Sequence, residues 1–288
     1  MDDYDAEPPP IRLVRHPTNT TQSAISTHRA RSFGRSLMNP NIDHYLNLWI
    51  PHNRLYILPQ PLQRFLGYRK TPHVEPSVLA QWSITFIATL AGLCLVGGVY
   101  AVAPGIKQWK PPAMIASLGA AAILDYSAVR SPLAQPRNAV VGHTLAALIG
   151  VCIAKLFMHN PTFFASYGWV AGAVGCACAS LVMSMTNTVH PPGGATAVLA
   201  STNAEIIALG WMFVPLILLA SLLMLSVALL VNNILRQYPV FWWTPEDVGR
   251  QLRRARQAEA DAESAPEVKD LHSGKRLEKQ KSWADRYV

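Results

Sequence analysis

The sequence predicts an all-α polytopic membrane protein, with four long transmembrane helices plus two short Pro-Pro-led segments, re-entrant or spanning, so four to six crossings. The first observation is where charge is missing. The 288 residues include 25 Lys and Arg and 17 Asp and Glu. Only seven of these, Lys107, Lys110, Asp125, Arg130, Arg137, Lys155 and Glu205, fall between Val78 and Leu235. The second is length: uncharged apolar stretches run over Val78–Ile106, Asn138–Ala154 and Ile206–Leu235. Each approaches or exceeds the ~20 residues a helix needs to cross a bilayer. The third is where the basic residues cluster. Arg64, Arg69 and Lys70 precede the first span, and Arg236, Arg250, Arg253, Arg254 and Arg256 follow the last. The positive-inside rule then puts both ends on the cytosolic side, which requires an even number of crossings. The net charge of +8 is read as topology, and no nucleic-acid partner is expected.

In chain order, residues 1–36 read as a disordered tail, rich in Pro, Ser, Thr, Asn and Arg with little apolar patterning. No cleavable signal or transit peptide is evident in "MDDYDAEPPP". Residues 37–76 mix Tyr45, Trp49, Tyr56, Phe65 and Tyr68 with basic residues and prolines, which suits a segment at the membrane surface or an exposed linker. The transmembrane domain covers 77–236. Its six apolar segments lie at about 78–103, 112–124, 138–158, 166–186, 191–201 and 206–235, with Pro215 marking a candidate kink. Residues 237–288 form a tail. Tyr238, Phe241, Trp242 and Trp243 suit an aromatic belt, Thr244 and Pro245 suit the start of a short charged helix to about Glu263, and the last 25 residues read as disordered.

Cys94, Cys152, Cys176 and Cys178 lie in apolar segments and read as small buried hydrophobes. Cys176-x-Cys178 has no further ligand cluster, so no metal and no cofactor are expected. Gly168, Ala171, Gly172 and Gly175 give the fourth segment a small-residue face for close helix packing.

The two short segments resemble one another. Lys110-Pro111-Pro112 and His190-Pro191-Pro192 stand 80 residues apart, each followed by small side chains and flanked by longer spans. A long, short, long pattern occurring twice is the signal of a transporter built from two repeats with interrupted helices. Irregular backbone at membrane depth survives only when buried in protein or lining a water-filled cavity. The helix starts suggest the chemistry. Pro191 is expected outside the helix and Pro192 at its first position. The N–H groups of Gly193, Gly194 and Ala195 would then lack intrahelical acceptors and form an anion site at the positive end of the helix dipole. His190 can donate a hydrogen bond or carry a proton, and Thr196 adds a hydroxyl. A second half-site would use the N–H groups after Pro112, with Lys110 as fixed charge and Ser117 as hydroxyl. The plainer alternative is that Pro-Pro punctuates a loop and His190 is an interfacial histidine.

Arg137 stands at the mouth of the third span and His143 lies about one and a half turns in. Arg137 draws anions in or snorkels to headgroups; His143 is placed to relay a proton. Asp125 is expected to pair with Arg130 or Arg137, Lys155 to snorkel, and Glu205 to be solvated. Thr186 and Asn187 line the site or close its turn.

"TVHPPGGATA", with the upstream "SPLAQPRNAVVGH" and "IASLGAAAIL", resembles the HPP family of integral membrane proteins over roughly residues 75–236. The resemblance implies four transmembrane helices. It also implies an anion carrier, since plastid and cyanobacterial members are implicated in nitrite transport and most others have no assigned substrate. The expected function is therefore transport of a small inorganic anion, nitrite first, with His190, Pro191, Pro192, Gly193, Gly194, Ala195, Thr196, Lys110, Ser117, Arg137 and His143 as candidate site residues. A channel-like pore and a non-transporting scaffold are the alternatives. No enzyme is expected, because no nucleophile–base–acid set stands out. The expected partners are the lipid bilayer and a small anion, with room for a homo-oligomer.

Overall fold

In the computed structural model the described residues are 42–47, 50, 55–69 and 76–245. The expected disordered tails and the charged helix after Thr244 lie outside them. Among the described residues the chain is helical. Two short helices, α1 (Asp43–Leu46) and α2 (Gln60–Phe65), precede the bundle. The bundle comprises α3 (Val78–Val102), α4 (Ala116–Ser127), α5 (Arg137–Phe157), α6 (Pro161–Met185), α7 (Pro191–Thr202) and α8 (Ala204–Leu235). Four of these, α3, α5, α6 and α8, are long and apolar enough to cross a membrane. The other two, α4 and α7, have 12 residues each, about 18 Å at 1.5 Å per residue.

The long helices turn large side chains outward. On α3, Leu79, Trp82, Phe86 and Leu90 are exposed, while Ile84, Ala88, Gly92, Val96 and Tyr100 face the bundle. Helices in lipid gain nothing by hiding Leu or Phe from their surroundings, so small residues collect where backbones must approach. Cys94 and Cys152 follow the same logic and are exposed, which corrects their reading as buried.

Neighbouring contacts fix the path. On α3 and α4, Gly97 lies beside the Ala113 carbonyl, whereas Thr85 donates to the Tyr126 carbonyl at 3.1 Å. The helices are therefore antiparallel, and α4 returns the chain to the end where α3 began. The hydroxyls of Tyr100 and Tyr126 donate to the carbonyls of Leu216 and Met224 on α8. On α6 and α7, Met183 lies near Gly193 and Gly172 near Thr202, so α7 runs back along α6. The first turns of α8, Ala204–Leu209, continue to Gly210, which lies beside Lys155 at the end of α5. Gly210 has φ +57° and ψ −129°, a conformation open essentially to glycine. The break in α8 is thus at Gly210. Pro215 sits in the first turn of Phe213–Val227, where its missing N–H costs nothing, and it makes no kink.

Among the described residues the chain therefore passes from end to end of the bundle six times, four times as a long helix and twice through α4 or α7 with their adjoining segments. Asp43, Arg64, Arg69, Arg130, Arg137 and Arg236 gather at one end, the tail side. Arg64 and Arg69 donate there to the last carbonyls of α8, at Asn233, Ile234 and Arg236. Tyr238 is fully buried and Trp242 donates to the Leu66 carbonyl. These aromatic residues pack on protein instead of forming the expected headgroup belt.

The crossing of α5 and α7 depends on Gly150. A Cβ there would meet Ala200 Cβ at 2.6 Å and the Ala197 carbonyl oxygen at 2.8 Å. Gly150→Val is expected to cost about 1–3 kcal/mol by overpacking, read as a lower thermal midpoint in detergent. Gly98 has open space around its Cβ position, so Gly98→Ala is expected to leave the midpoint unchanged or raise it.

Candidate functional site

The two short helices meet inside the bundle. Ser117 is the second residue of α4 and Thr196 the sixth of α7; Thr196 donates to Ser117 Oγ at 2.7 Å. His143 Nε2 lies 2.6 Å from the same Thr196 oxygen. Because Thr196 has one hydrogen and gives it to Ser117, Nε2 carries the proton and donates. Nδ1 then accepts from Ser221 Oγ on α8, at 3.4 Å. Ser117, Thr196, His143 and Ser221 are all buried, with exposures of 1%, 0%, 1% and 4%. They form one hydrogen-bonded chain across four helices.

His143 is presented by a widened turn. The first six residues of α5, Arg137–Gly142, are π-helical before the regular helix begins at His143. Such wide turns re-aim side chains and recur at functional sites. At six residues inside Arg137, His143 lies about 9 Å down the helix.

His190 completes the centre. It precedes the first helical residue of α7, is fully buried, and its ring centroid is 5.1 Å from that of His143. Its Nδ1 lies 3.1 Å from the Leu133 carbonyl oxygen. A carbonyl only accepts, so Nδ1 carries the hydrogen and Nε2 presents a lone pair. That Nε2 is buried and has no partner. Buried polar atoms nearly always find a partner, so an orphan of this kind calls for an explanation.

Other expected features are corrected. Pro191 is the first residue of α7, not outside it. The two prolines remove two of the donors that a helix start normally leaves free. The Gly193 N–H bonds the His190 carbonyl at 2.8 Å. A Cβ on Gly193 would sit 3.0 Å from Ala146 Cβ, and one on Gly194 3.4 Å from Cys176 Sγ, so these glycines serve close helix packing. Pro191 and Ala195 face outward, while Pro192 is buried. The expected cradle of free N–H groups at Gly193, Gly194 and Ala195 thereby loses its first donor, Gly193. Its counterpart is not formed: Pro111-Pro112 lies in a connection, α4 starts only at Ala116, and Lys110 is exposed at the far end of the bundle. Of that half-site only Ser117 reaches the centre.

Arg137 is also committed elsewhere. Its Nη2 is 2.6 Å from Asp43 Oδ1 and 2.6 Å from the Thr186 carbonyl oxygen, and its guanidinium lies 4.3 Å from the Trp243 ring centroid. It neither draws anions in nor snorkels; it clamps the turn that carries His190. Asn187 bonds Asp43 and Thr186 bonds Thr188, so they close this turn. Asn138 Nδ2 holds the Val189 carbonyl at 2.8 Å. Asp125 does not pair with Arg130 or Arg137, and its buried Oδ1 has no partner. Lys155 stays exposed at the end of α5, its Nζ 5.4 Å from the Trp211 ring centroid. Among the described residues no three His, Cys, Asp or Glu side chains are placed to hold a metal.

Sequence reasoning missed Ser221, the Leu133 carbonyl, Asp43 and Trp243. Ser221 alone left a signal, as a hydroxyl in the middle of a strongly apolar span.

Fold and site together define an integral membrane protein with a histidine–hydroxyl centre buried where two short helices meet. A model of the family described as HPP, transmembrane region, matches residues 75–239, more than half of the chain, and the chain belongs to that family. A transmembrane protein of Dictyostelium discoideum is 33% identical over 194 residues, covering 66% of this chain and 65% of its own length. Another from the same organism is 41% identical over 136 residues, covering 45% of this chain and 42% of its own. The matches thus span less than two thirds of either relative. No solved structure matches.

Proposed function

We propose that the protein carries a small inorganic anion, nitrite first, across the membrane together with a proton, through the centre formed by His190, His143, Thr196 and Ser117. The observation that carries the reading is the orphan Nε2 of His190. Its lone pair repels a bare anion. Once protonated, the same nitrogen becomes a charge-assisted donor inside a low-dielectric bundle. An anion therefore binds there with one proton, either on the imidazole or on the anion itself. His143 and the hydroxyls supply further donors and acceptors, and among the described residues no carboxylate lies in the centre to repel the ligand. Ionisable side chains at membrane depth cost at least about 2.5 kcal/mol on insertion scales, which favours a functional role over a decorative one.

The meeting of α4 and α7 also supports a carrier, since sites of two-repeat transporters lie where interrupted helices converge. The tail side holds Arg64, Arg69, Arg130, Arg137 and Arg236, against Lys107, Lys110 and Lys155 at the far end. By the positive-inside rule the tail side is cytosolic.

The test is nitrite uptake into proteoliposomes, wild type against His190→Ala, with and without an inward proton gradient. Uptake that saturates, responds to the gradient and is lost in the variant is expected. Folded wild-type protein that moves neither nitrite nor any other small anion would sink the proposal. Flux that never saturates would replace the carrier with a pore.

A further inference from the structure

We propose that Asp125 is a proton-binding site that couples transport to the proton gradient, exchanging its proton through the cleft at the tail-side end of α4; this rests on the carrier reading above. Asp125 lies in the last turn of α4 and is 3% exposed. Its Oδ1 is buried without a hydrogen-bond partner. A carboxylate removed from water and left without a cation is the costly form of the group, and a proton removes the charge. Structural carboxylates in membrane bundles are paired; this one is not.

The surroundings hold the means of exchange. A cleft of about 200 Å³ opens beside the end of α4, lined by Gln81, Ser127, Arg130, Ser131, Arg236 and Gln237 among others. It begins two residues beyond Asp125, and it is large enough for several waters. Arg236 lines it with a buried Nε that has no partner. Asn232 stands between the two orphaned groups: its Nδ2 donates to the Asp125 carbonyl at 3.1 Å, and its Oδ1 accepts from Arg236 at 2.6 Å. When the carboxyl O–H gives its proton to water in the cleft, the carboxylate left behind has a cation to turn to one residue beyond α8. In the structure Asp125 and Arg236 form no ion pair, so the described state is the one in which the carboxyl is not held by that cation.

The other titratable groups near Asp125 are few. Tyr126 follows it and donates to Met224; Tyr238 donates to the Ala134 carbonyl. Arg130 follows α4 at the cleft. The facing parts of α3 and α7 contribute no titratable side chain, α3 offering Thr85, which accepts from Arg236. The link to the anion centre is α4 itself. Ser117 and Asp125 are eight residues apart on one rigid helix, about 12 Å. A movement of α4 that follows a change of charge at one end would carry the hydroxyl at the other with it.

The experiment compares wild type with Asp125→Asn, the isosteric stand-in for the protonated group, in proteoliposomes. Two fluxes are read: nitrite exchange at equal pH, and accumulation driven by an inward proton gradient. With one proton per anion, each pH unit can support about tenfold accumulation. Wild type is expected to accumulate and the variant only to equilibrate, so that the ratio of driven flux to exchange collapses. A variant that accumulates as wild type does overturns the proposal. Infrared difference spectra of the same samples between acid and alkaline pH give a readout that does not need nitrite transport. A carboxylic acid band that titrates in wild type and is missing in Asp125→Asn supports the proton site even if no nitrite moves, in which case the carrier reading alone has failed. Absence of such a band overturns it.

Discussion

Alanine at Gly142 is expected to lower the thermal midpoint of the protein and to abolish anion uptake. Gly142 is the last residue of the wide turn that opens α5, and His143 follows it. A Cβ there would overlap the backbone carbonyl of Thr188 and press on His190 Cβ at 3.2 Å. The obstacle is main chain, not the tip of a flexible side chain. One of the two segments must move, and both carry a histidine of the centre. Overpacking of this kind costs about 1–3 kcal/mol, and a backbone clash belongs at the upper end. Loss of uptake should exceed what the stability change alone explains, because a shift of about 1 Å between His143 and His190 is enough to spoil a binding geometry. Uptake and midpoint measured on the same preparation decide it. Wild-type behaviour in both would show that the turn yields freely and that the fixed histidine geometry is not needed.

The second large effect is expected at Arg137. Its guanidinium is 2% exposed and pairs with an Asp43 carboxylate that is 14% exposed. Removing one partner of a buried pair costs up to about 3–5 kcal/mol. Arg137→Met should therefore lower the midpoint strongly. Arg137→Lys should recover only part of the loss, because a lysine cannot serve Asp43, the Thr186 carbonyl and the Trp243 face together. Asp43→Asn in the Arg137→Met background should cost less than the two single changes combined, since both remove the same contact. Additive losses would mean that the pair is not coupled, and that Arg137 acts through Thr186 and Trp243 alone.

Much of the fold could be read from charge depletion and length. The four long helices lie within a few residues of where apolar runs placed them, because hydrocarbon tolerates little else. His143, His190, Thr196 and Ser117 stood out as polar groups in apolar surroundings, and they do converge. What failed was local reasoning about helix starts. The Pro-Pro repeat suggested two equivalent anion cradles. At 190–192 the prolines take two donors from the helix start, and the Gly193 N–H closes on the His190 carbonyl. At 110–112 the same dipeptide lies outside any helix. Arg137 was misread because its partners stand 94 and 49 residues away in sequence, beyond any periodicity. Asp125 was misread for the opposite reason. A nearby arginine in sequence suggested a pair that the fold does not make.

The brevity of α4 and α7 has a consequence for how the protein is made. Neither presents a stretch that a translocon would release into lipid unaided, and α7 opens with two prolines and two glycines. Each has to be lodged by protein. For α7 the receiving groove is ready: α5 and α6 flank it, and both leave the ribosome earlier. α4 has only α3 behind it, and its remaining neighbours, α7 and α8, are synthesised last. Biogenesis thus contains a waiting period in which α4, with its unpaired carboxyl, lies half-housed until the final helix arrives. A chain truncated before α8 should be recognised by quality control as incomplete, even though every preceding long helix has been inserted.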